Sequence, residues 1–198
     1  MRSLHVSAVG TLTSWTAPTP EQETLRLAYL EHLATHTDGV WKDGPPSHLT
    51  ASAMVFDPDL RRVLLTLHRK GQFWVQLGGH CEPGDETLAA AALREAREES
   101  GLDDLHLLPG PVDLDRHELA QAFGRCREHL DVAFVALAGA NASPSVSDES
   151  DDVAWWPLDA LPSRVVPDLP DRLARAASLA HSPGFQGMTS RAALSPSR

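Results

Sequence analysis

Gly78 to Leu102, GGHCEPGDETLAAAALREAREESGL, decides how this chain is read. The stretch opens on a glycine-bearing loop and runs into a helix whose far end carries Arg94, Glu95, Glu98 and Glu99. At about 100° per residue, the three glutamates fall within an arc of roughly 100° on one helical face. Like charges at that spacing repel and weaken an isolated helix, so a cation is expected among them. Oxygen-only ligands suit Mg²⁺ or Mn²⁺, and Mg²⁺ leaves coordination positions for water and a substrate phosphate. Carboxylates standing alone would read instead as a solvated acidic face with Arg94 and Arg97 as local partners.

They do not stand alone. Seven residues, Thr87 to Leu93, separate Glu86 from Arg94, and Glu95, Ala96, Glu98, Glu99, Gly101 and Leu102 follow in fixed order. The segment resembles the Nudix box: Gly, five residues, Glu, seven residues, Arg-Glu, an aliphatic residue, any residue, Glu-Glu, any residue, Gly and an aliphatic residue. Ala96 is a small substitute for the usual bulkier aliphatic. One departure is the six residues between Gly79 and Glu86, where the pattern has five. Either the loop holds the extra residue, or Asp85 takes the Glu position and the helix holds it. An insertion in the helix would rotate everything before it by about 100°, whereas a Pro83-Gly84 turn absorbs a residue cheaply, so the insertion is assigned to the loop. More than ten constrained positions make the match far more specific than a lone glycine motif.

The resemblance implies a hydrolase acting on a nucleoside diphosphate linked to another moiety, dependent on Mg²⁺ or Mn²⁺. It implies metal ligation by Glu95, Glu98 and Glu99 with Gly78, and a catalytic set of Glu95, Arg94, Glu98 and Glu99. Glu95 is also a candidate base. Arg94 would orient a glutamate by a charge-assisted hydrogen bond rather than touch substrate, and Glu86 matches the position that supports the motif loop. Some family members take the base from a later loop, for which Asp148, Glu149, Asp151 and Asp152 are candidates and Glu149 the first choice. Two other readings stay open: a catalytically inactive Nudix-like module that senses a nucleotide, and an isoprenyl diphosphate isomerase using a cysteine outside the box. The first usually has a degraded box, and here every acidic position is filled.

A chain of 198 residues is long enough for one well-buried core and short for two. Net charge of −10 argues against a nucleic-acid polymer or an anionic membrane as partner. A small phosphorylated substrate stays compatible, because a bound metal reverses the local field. Cys81 and Cys126 form neither a disulfide framework nor a Cys-x-x-Cys pair, and both are expected reduced. His80 and Cys81 follow the glycines, yet no second His or Cys lies at ligand spacing, so soft-metal ligation is not expected there. The N-terminal residues lack a signal peptide's apolar stretch and no run long enough to span a membrane exists, which makes the cytoplasm the expected location.

The pattern divides into residues 1–46, an extension with an amphipathic helix; 47–180, the Nudix-like domain; and 181–198, an expected disordered tail. Thr19, Pro20 and Gln22 read as N-cap, first-turn proline and third position of a capping box, opening a helix from Pro20 to His36. Its apolar side, with Leu25, Ala28, Tyr29, His32 and Leu33, suits the core or a homodimer contact. Ala51 to Phe56 and Arg62 to His68 read as a hairpin around Asp57-Pro58-Asp59, and Phe73 to Leu77 as a short strand. Leu105 to Leu108, Val112 to Leu119, Leu130 to Leu137 and Val153 to Trp156 read as further strands, and Pro170 to Ala180 as a last helix. Asn141 to Asp152 reads as a loop. The segment Pro157 to Pro162 resembles the stretch that follows this last strand in many Nudix proteins. Strands among helices suggest an α/β/α sandwich with a mixed sheet, and the resemblance implies the same fold. Substrate-binding residues are not identified; His80, Arg61, Arg62, His68, Arg69 and Lys70 are candidate phosphate contacts. Trp74 is a candidate stacking surface, though burial is the commoner use of such a residue. Trp155 and Trp156 alternate on a strand, so at most one is expected to face the core.

Overall fold

Ser47 to Phe56 forms β1 (Ser47–Phe56), in which every residue after the first is buried. A strand buried on both faces needs partners on both edges and a layer on each side. The computed structural model, which describes residues 4–119, 125–147 and 150–182, supplies all four. On one edge β7 (Glu128–Ala138) runs parallel to β1 from Ser47↔Glu128 to Phe56↔Leu137. On the other, β4 (Leu77–His80) lies opposite Thr50 to Ala53 and β2 (Arg62–His68) opposite Val55 and Phe56, both antiparallel. β3 (Trp74–Val75) and β8 (Ser150–Pro157) extend the sheet beyond β2, while β5 (Leu105–Leu107) and β6 (Asp113–Glu118) pair antiparallel with β7.

Strand alternation then sorts side chains into two layers. Leu49, Ala51, Ala53 and Val55 join Leu130, Val132 and Phe134 in one cluster. That cluster is closed by α1 (Leu4–Ser14), α2 (Pro20–Thr35) and α3 (Leu88–Ser100). Met54, Phe56, Val63 and Leu65 join Ala133 and Val135 in the other, under α4 (Leu169–Ala180). The architecture is the expected α/β/α sandwich on a mixed sheet with N-terminal helices.

α1 has no counterpart in the sequence reading. Val6, Val9, Thr11 and Thr13 are β-branched and Gly10 favours coil, so local propensity argues against a helix. Leu4, Ala8 and Leu12, one turn apart, are buried in the core, and tertiary packing overrides propensity. α2 begins as expected, with Gln22 N donating to Thr19 Oγ1 at 3.3 Å. Its apolar side faces the core: Tyr29 and Leu33 are fully buried, each contributing about 1.5–3 kcal/mol of hydrophobic stabilisation. The Gln22 side chain, however, grips the Leu114 backbone in β6, donating to its carbonyl at 2.8 Å and accepting from its N–H at 2.7 Å. A capping glutamine thus serves as a tertiary clamp.

Three other expectations change. Gly78 and Gly79 lie within β4, paired with Ser52 and Ala51, rather than in a loop. Ser150 to Asp152, read as loop, belong to β8, because Ser150 pairs with His68 across a bulge in β2. Trp155 and Trp156 both pack on apolar clusters, on opposite faces, since both faces of the sheet are covered. Trp74 packs edge-on against Trp156 with ring centroids 5.3 Å apart, a structural role. The expected disordered tail, from residue 183 onward, lies outside the described residues.

Candidate active site on α3

Thr87 caps α3, accepting from Ala90 N at 3.0 Å, and Gly101 ends it with a left-handed φ of 67° and its N–H on Arg97 O. Between these caps Leu88, Ala91, Ala92 and Ala96 are buried, which fixes the rotation of the helix on the sheet. That rotation turns Glu95 and Glu99 toward β4, with Arg94 and the more exposed Glu98 further round the helix.

Arg94 is the hub. Its guanidinium donates to both oxygens of Asp85 (3.1 and 3.0 Å), to Glu95 Oε1 (3.1 Å), to Glu98 Oε2 (2.9 Å) and to the His80 carbonyl (2.9 Å). Burial alone would lower its pKa, but the hydrogen bonds and charge of Asp85 and Glu95 raise it, and the group is a fixed cation. Glu99 Oε2 accepts from Gly78 N at 2.8 Å, joining the helix to β4. Gly79 is the other point of approach: a Cβ there would lie 2.8 Å from the Glu95 carboxyl group, so glycine lets the strand pass against it.

The loop register is corrected at Asp85. Asp85 is buried, takes two bonds from Arg94 and accepts Glu82 N at 2.8 Å, whereas Glu86 is exposed. Asp85, not Glu86, ties the loop to the helix. Glu86 lies outside α3, between Asp85 and the Thr87 cap.

The sequence candidates divide clearly. Four carboxylates, Asp85, Glu95, Glu98 and Glu99, lie along one helix and its approach loop, the first three on the Arg94 guanidinium and Glu99 on the Gly78 N–H, and oxygen donors of this kind fit a hard divalent cation. Glu98 is the most open of the acids paired with Arg94, with 58% of its side chain exposed. Arg69 is paired with Asp151 at 3.1 Å, which Gln72 also meets, and Arg62 with Asp57 at 2.9 Å. The His68 ring accepts from Gly71 N. Glu149 and Asp148 lie outside the described residues. Cys81 is buried in the apolar core, and burial followed by the Asp85 charge raises its thiol pKa to about 12, which argues against Cys81 itself as a nucleophile.

Sequence reasoning missed one cluster beside the box. His80 meets His48, His129 and Cys126, one potential ligand atom from each lying within 4.8 Å of the others. Its members are distant in sequence and meet only through strand register; Cys126-x-x-His129 was the one local signal.

The sequence matches the NUDIX domain over residues 46–176. Among solved structures, a NUDIX-family hydrolase from Clostridium perfringens is 24% identical, with a TM-score of 0.52 over 66% of this chain and 94% of that one. A C. elegans Ap4A hydrolase is 17% identical, with a TM-score of 0.56 over 66% of this chain and 96% of that one. The E. coli dihydroneopterin triphosphate pyrophosphohydrolase is 19% identical, with a TM-score of 0.56 over 67% and 96%. At these identities the likeness is one of fold. No curated protein matches the chain. With the fold shared and the domain matched over most of its length, the chain belongs to the NUDIX domain family.

Proposed function

We propose that this chain is a Mg²⁺-dependent hydrolase that cleaves a phosphoanhydride bond in a nucleoside diphosphate linked to another moiety. The family assignment carries the enzyme class, a Nudix-type pyrophosphohydrolase; the metal, the residue roles and the substrate class are our reading. The observation that carries it is the gathering of Asp85, Glu95 and Glu98 around Arg94, with Glu99 beside them on the Gly78 N–H. Glu95, Glu98 and Glu99, with the Gly78 backbone, would hold the ion, and Mn²⁺ would serve as well. A metal held there supplies charge neutralisation on the phosphate oxygens and a water acidic enough to attack phosphorus.

The chain's own groups do the rest. Glu95, with only 12% of its side chain exposed, is suited to accept the attacking water's proton, and Arg94 orients it. Asp85 holds Arg94 and the loop rather than substrate. Intact acidic positions throughout the box favour turnover over a sensing module. The solved neighbours named for Ap4A or dihydroneopterin triphosphate illustrate the range of substrates on this fold without selecting one here. Free thiols at Cys81 and Cys126 fit a reducing, cytoplasmic setting.

The test is a phosphate-release screen over nucleoside triphosphates, sugar nucleotides, dinucleoside polyphosphates and coenzymes with Mg²⁺ or Mn²⁺, with and without chelator. We expect release of a phosphomonoester in at least one class, abolished by chelator. Glu98→Gln should keep the fold and cut kcat by at least about 10²-fold, the scale of losing one charge-stabilising group in a site. Near-normal turnover in that variant rejects the ligand set.

A further inference from the structure

The face of the sheet opposite α3 carries a second group of donors, and strand register explains how it forms. His48 pairs with His129 between β1 and β7, and Thr50, two residues on from His48, pairs with His80 of β4. Paired residues, and residues two apart, point to one face. Three imidazoles therefore converge, with ring centroids 5.1 Å apart for His48 and His80, 4.9 Å for His80 and His129, and 5.4 Å for His48 and His129. Buried Cys126, just before β7, completes a group whose potential ligand atoms lie within 4.8 Å of one another.

A second observation points to a ligand. Nε2 of His48, of His80 and of His129 is buried and has no hydrogen-bond partner among the described residues. Buried polar atoms are nearly always paired, so three orphans in one cluster are exceptional. His48 is fully buried, and its Nδ1 lies 3.1 Å from the Pro45 carbonyl. A carbonyl only accepts, so Nδ1 carries the proton and Nε2 presents a lone pair, the arrangement found in metal-binding histidines.

We propose that His48, His80, His129 and Cys126 bind one Zn²⁺ ion in a closed tetrahedral site, separate from the carboxylates of α3. Three imidazole nitrogens and a thiolate are borderline-soft donors that suit Zn²⁺ and are poor ligands for Mg²⁺. Binding forms three Zn–N bonds and one Zn–S bond; the Cys126 thiol releases its proton to solvent, and no oxidation state changes. With four protein ligands no position remains for substrate, so the site is structural. It ties β1, β4 and β7 together where the His80 carbonyl holds Arg94.

The test uses the full chain. Metal analysis after dialysis against metal-free buffer should find about one equivalent of zinc, the count expected of a closed four-ligand site. Cobalt added to the metal-depleted protein should give tetrahedral d–d bands and a near-ultraviolet thiolate-to-cobalt charge-transfer band, bleached by Zn²⁺ and not by excess Mg²⁺. Cys126→Ser should lose the charge-transfer band and weaken zinc retention by more than the 10–100-fold that loss of a supporting partner costs. Glu98→Gln should keep the band. Absence of both retained zinc and the charge-transfer band in the unaltered protein overturns the proposal, whatever the variants do. A band that persists in Cys126→Ser overturns the ligand assignment. Because the readout is not turnover, a protein that shows the band but hydrolyses nothing keeps this site and loses the hydrolytic reading.

Discussion

Replacing Asp85 by Asn, beside Glu86→Gln as its control, separates the two candidates for the loop anchor. Asp85 accepts two charge-assisted bonds from Arg94 and one from Glu82 N, and only 6% of its side chain is exposed. Removing one partner of a buried ion pair costs about 3–5 kcal/mol when the remaining charge is stranded. Arg94 is not stranded: Glu95, Glu98 and the His80 carbonyl still receive it, and 21% of its side chain reaches solvent. The expected loss is therefore about 2–3 kcal/mol. With a urea m-value of about 2 kcal/mol/M, the unfolding midpoint should fall by about 1–1.5 M at constant slope. Glu86→Gln, on an exposed side chain, should stay within about 0.5 kcal/mol of the parent. If Glu86→Gln costs as much as Asp85→Asn, or Asp85→Asn costs nothing, the assignment of the anchor is wrong.

Asp57 provides a pH test in the β1–β2 turn. Burial alone would raise its pKa, but bonds from the Arg62 N–H, the Arg62 guanidinium and the Arg61 N–H outweigh it and hold the carboxyl below 3.8. A depressed carboxylate contributes stability that is present above the unfolded pKa of about 3.9 and lost as pH falls through the folded value. Asp57→Asn should thus cost about 1 kcal/mol in urea unfolding at pH 7 and progressively less as pH falls below the unfolded pKa of about 3.9, the figure being reduced because half of the Arg62 side chain is exposed; a cost that does not fall with pH would rule this out. Arg172, only 4% exposed, lies 2.6 Å from Asp113, 3.3 Å from Asp115 and 3.5 Å from Asp131. Arg172→Met leaves buried acids without their main counter-charge and should destabilise by about 3–5 kcal/mol in the same assay, whereas a change under 1 kcal/mol would mean the acids find other compensation.

Much of this molecule was legible because local and global signals agreed. Thr87 and Gly101 bracket α3, Leu88, Ala91, Ala92 and Ala96 are buried, and Glu95, Glu98 and Glu99 fall within one arc by helical period alone. The β1–β2 hairpin followed from alternation around an Asp-Pro-Asp turn. What escaped was whatever depended on distant partners. α1 runs against its own propensities and exists because Leu4, Ala8 and Leu12 fill the core. Gln22 fits a cap by position, yet its side chain goes to Leu114 because β6 offers paired backbone groups there. Between Asp85 and Glu86 sequence counting had no basis to choose, since the insertion fits either side of the acid; burial and the reach of Arg94 decide it. The histidine cluster needed the parallel register of β1 with β7, which no periodicity specifies.

One strand thereby separates two kinds of ligand chemistry. On β4, Gly79 faces the Glu95 carboxyl, while His80, the next residue, points to the opposite face with His48 and His129. Strand alternation puts oxygen donors on one side and nitrogen and sulfur donors on the other, and ligand softness keeps Mg²⁺ from the second set. The two metals should therefore act on different observables. Zn²⁺ at about 100 times its dissociation constant stabilises the fold by about 2.7 kcal/mol, which for a chain of this size raises Tm by about 5–10 °C. Protein stripped by chelator and returned to Mg²⁺ alone should regain turnover at low temperature while melting earlier, and Zn²⁺ should restore Tm without substituting for Mg²⁺ in hydrolysis. Scanning calorimetry read against phosphate release at each stage checks this. A Tm that Mg²⁺ restores fully, or that Zn²⁺ raises equally in Cys126→Ser, would place both effects at the carboxylates and leave the histidines without a metal.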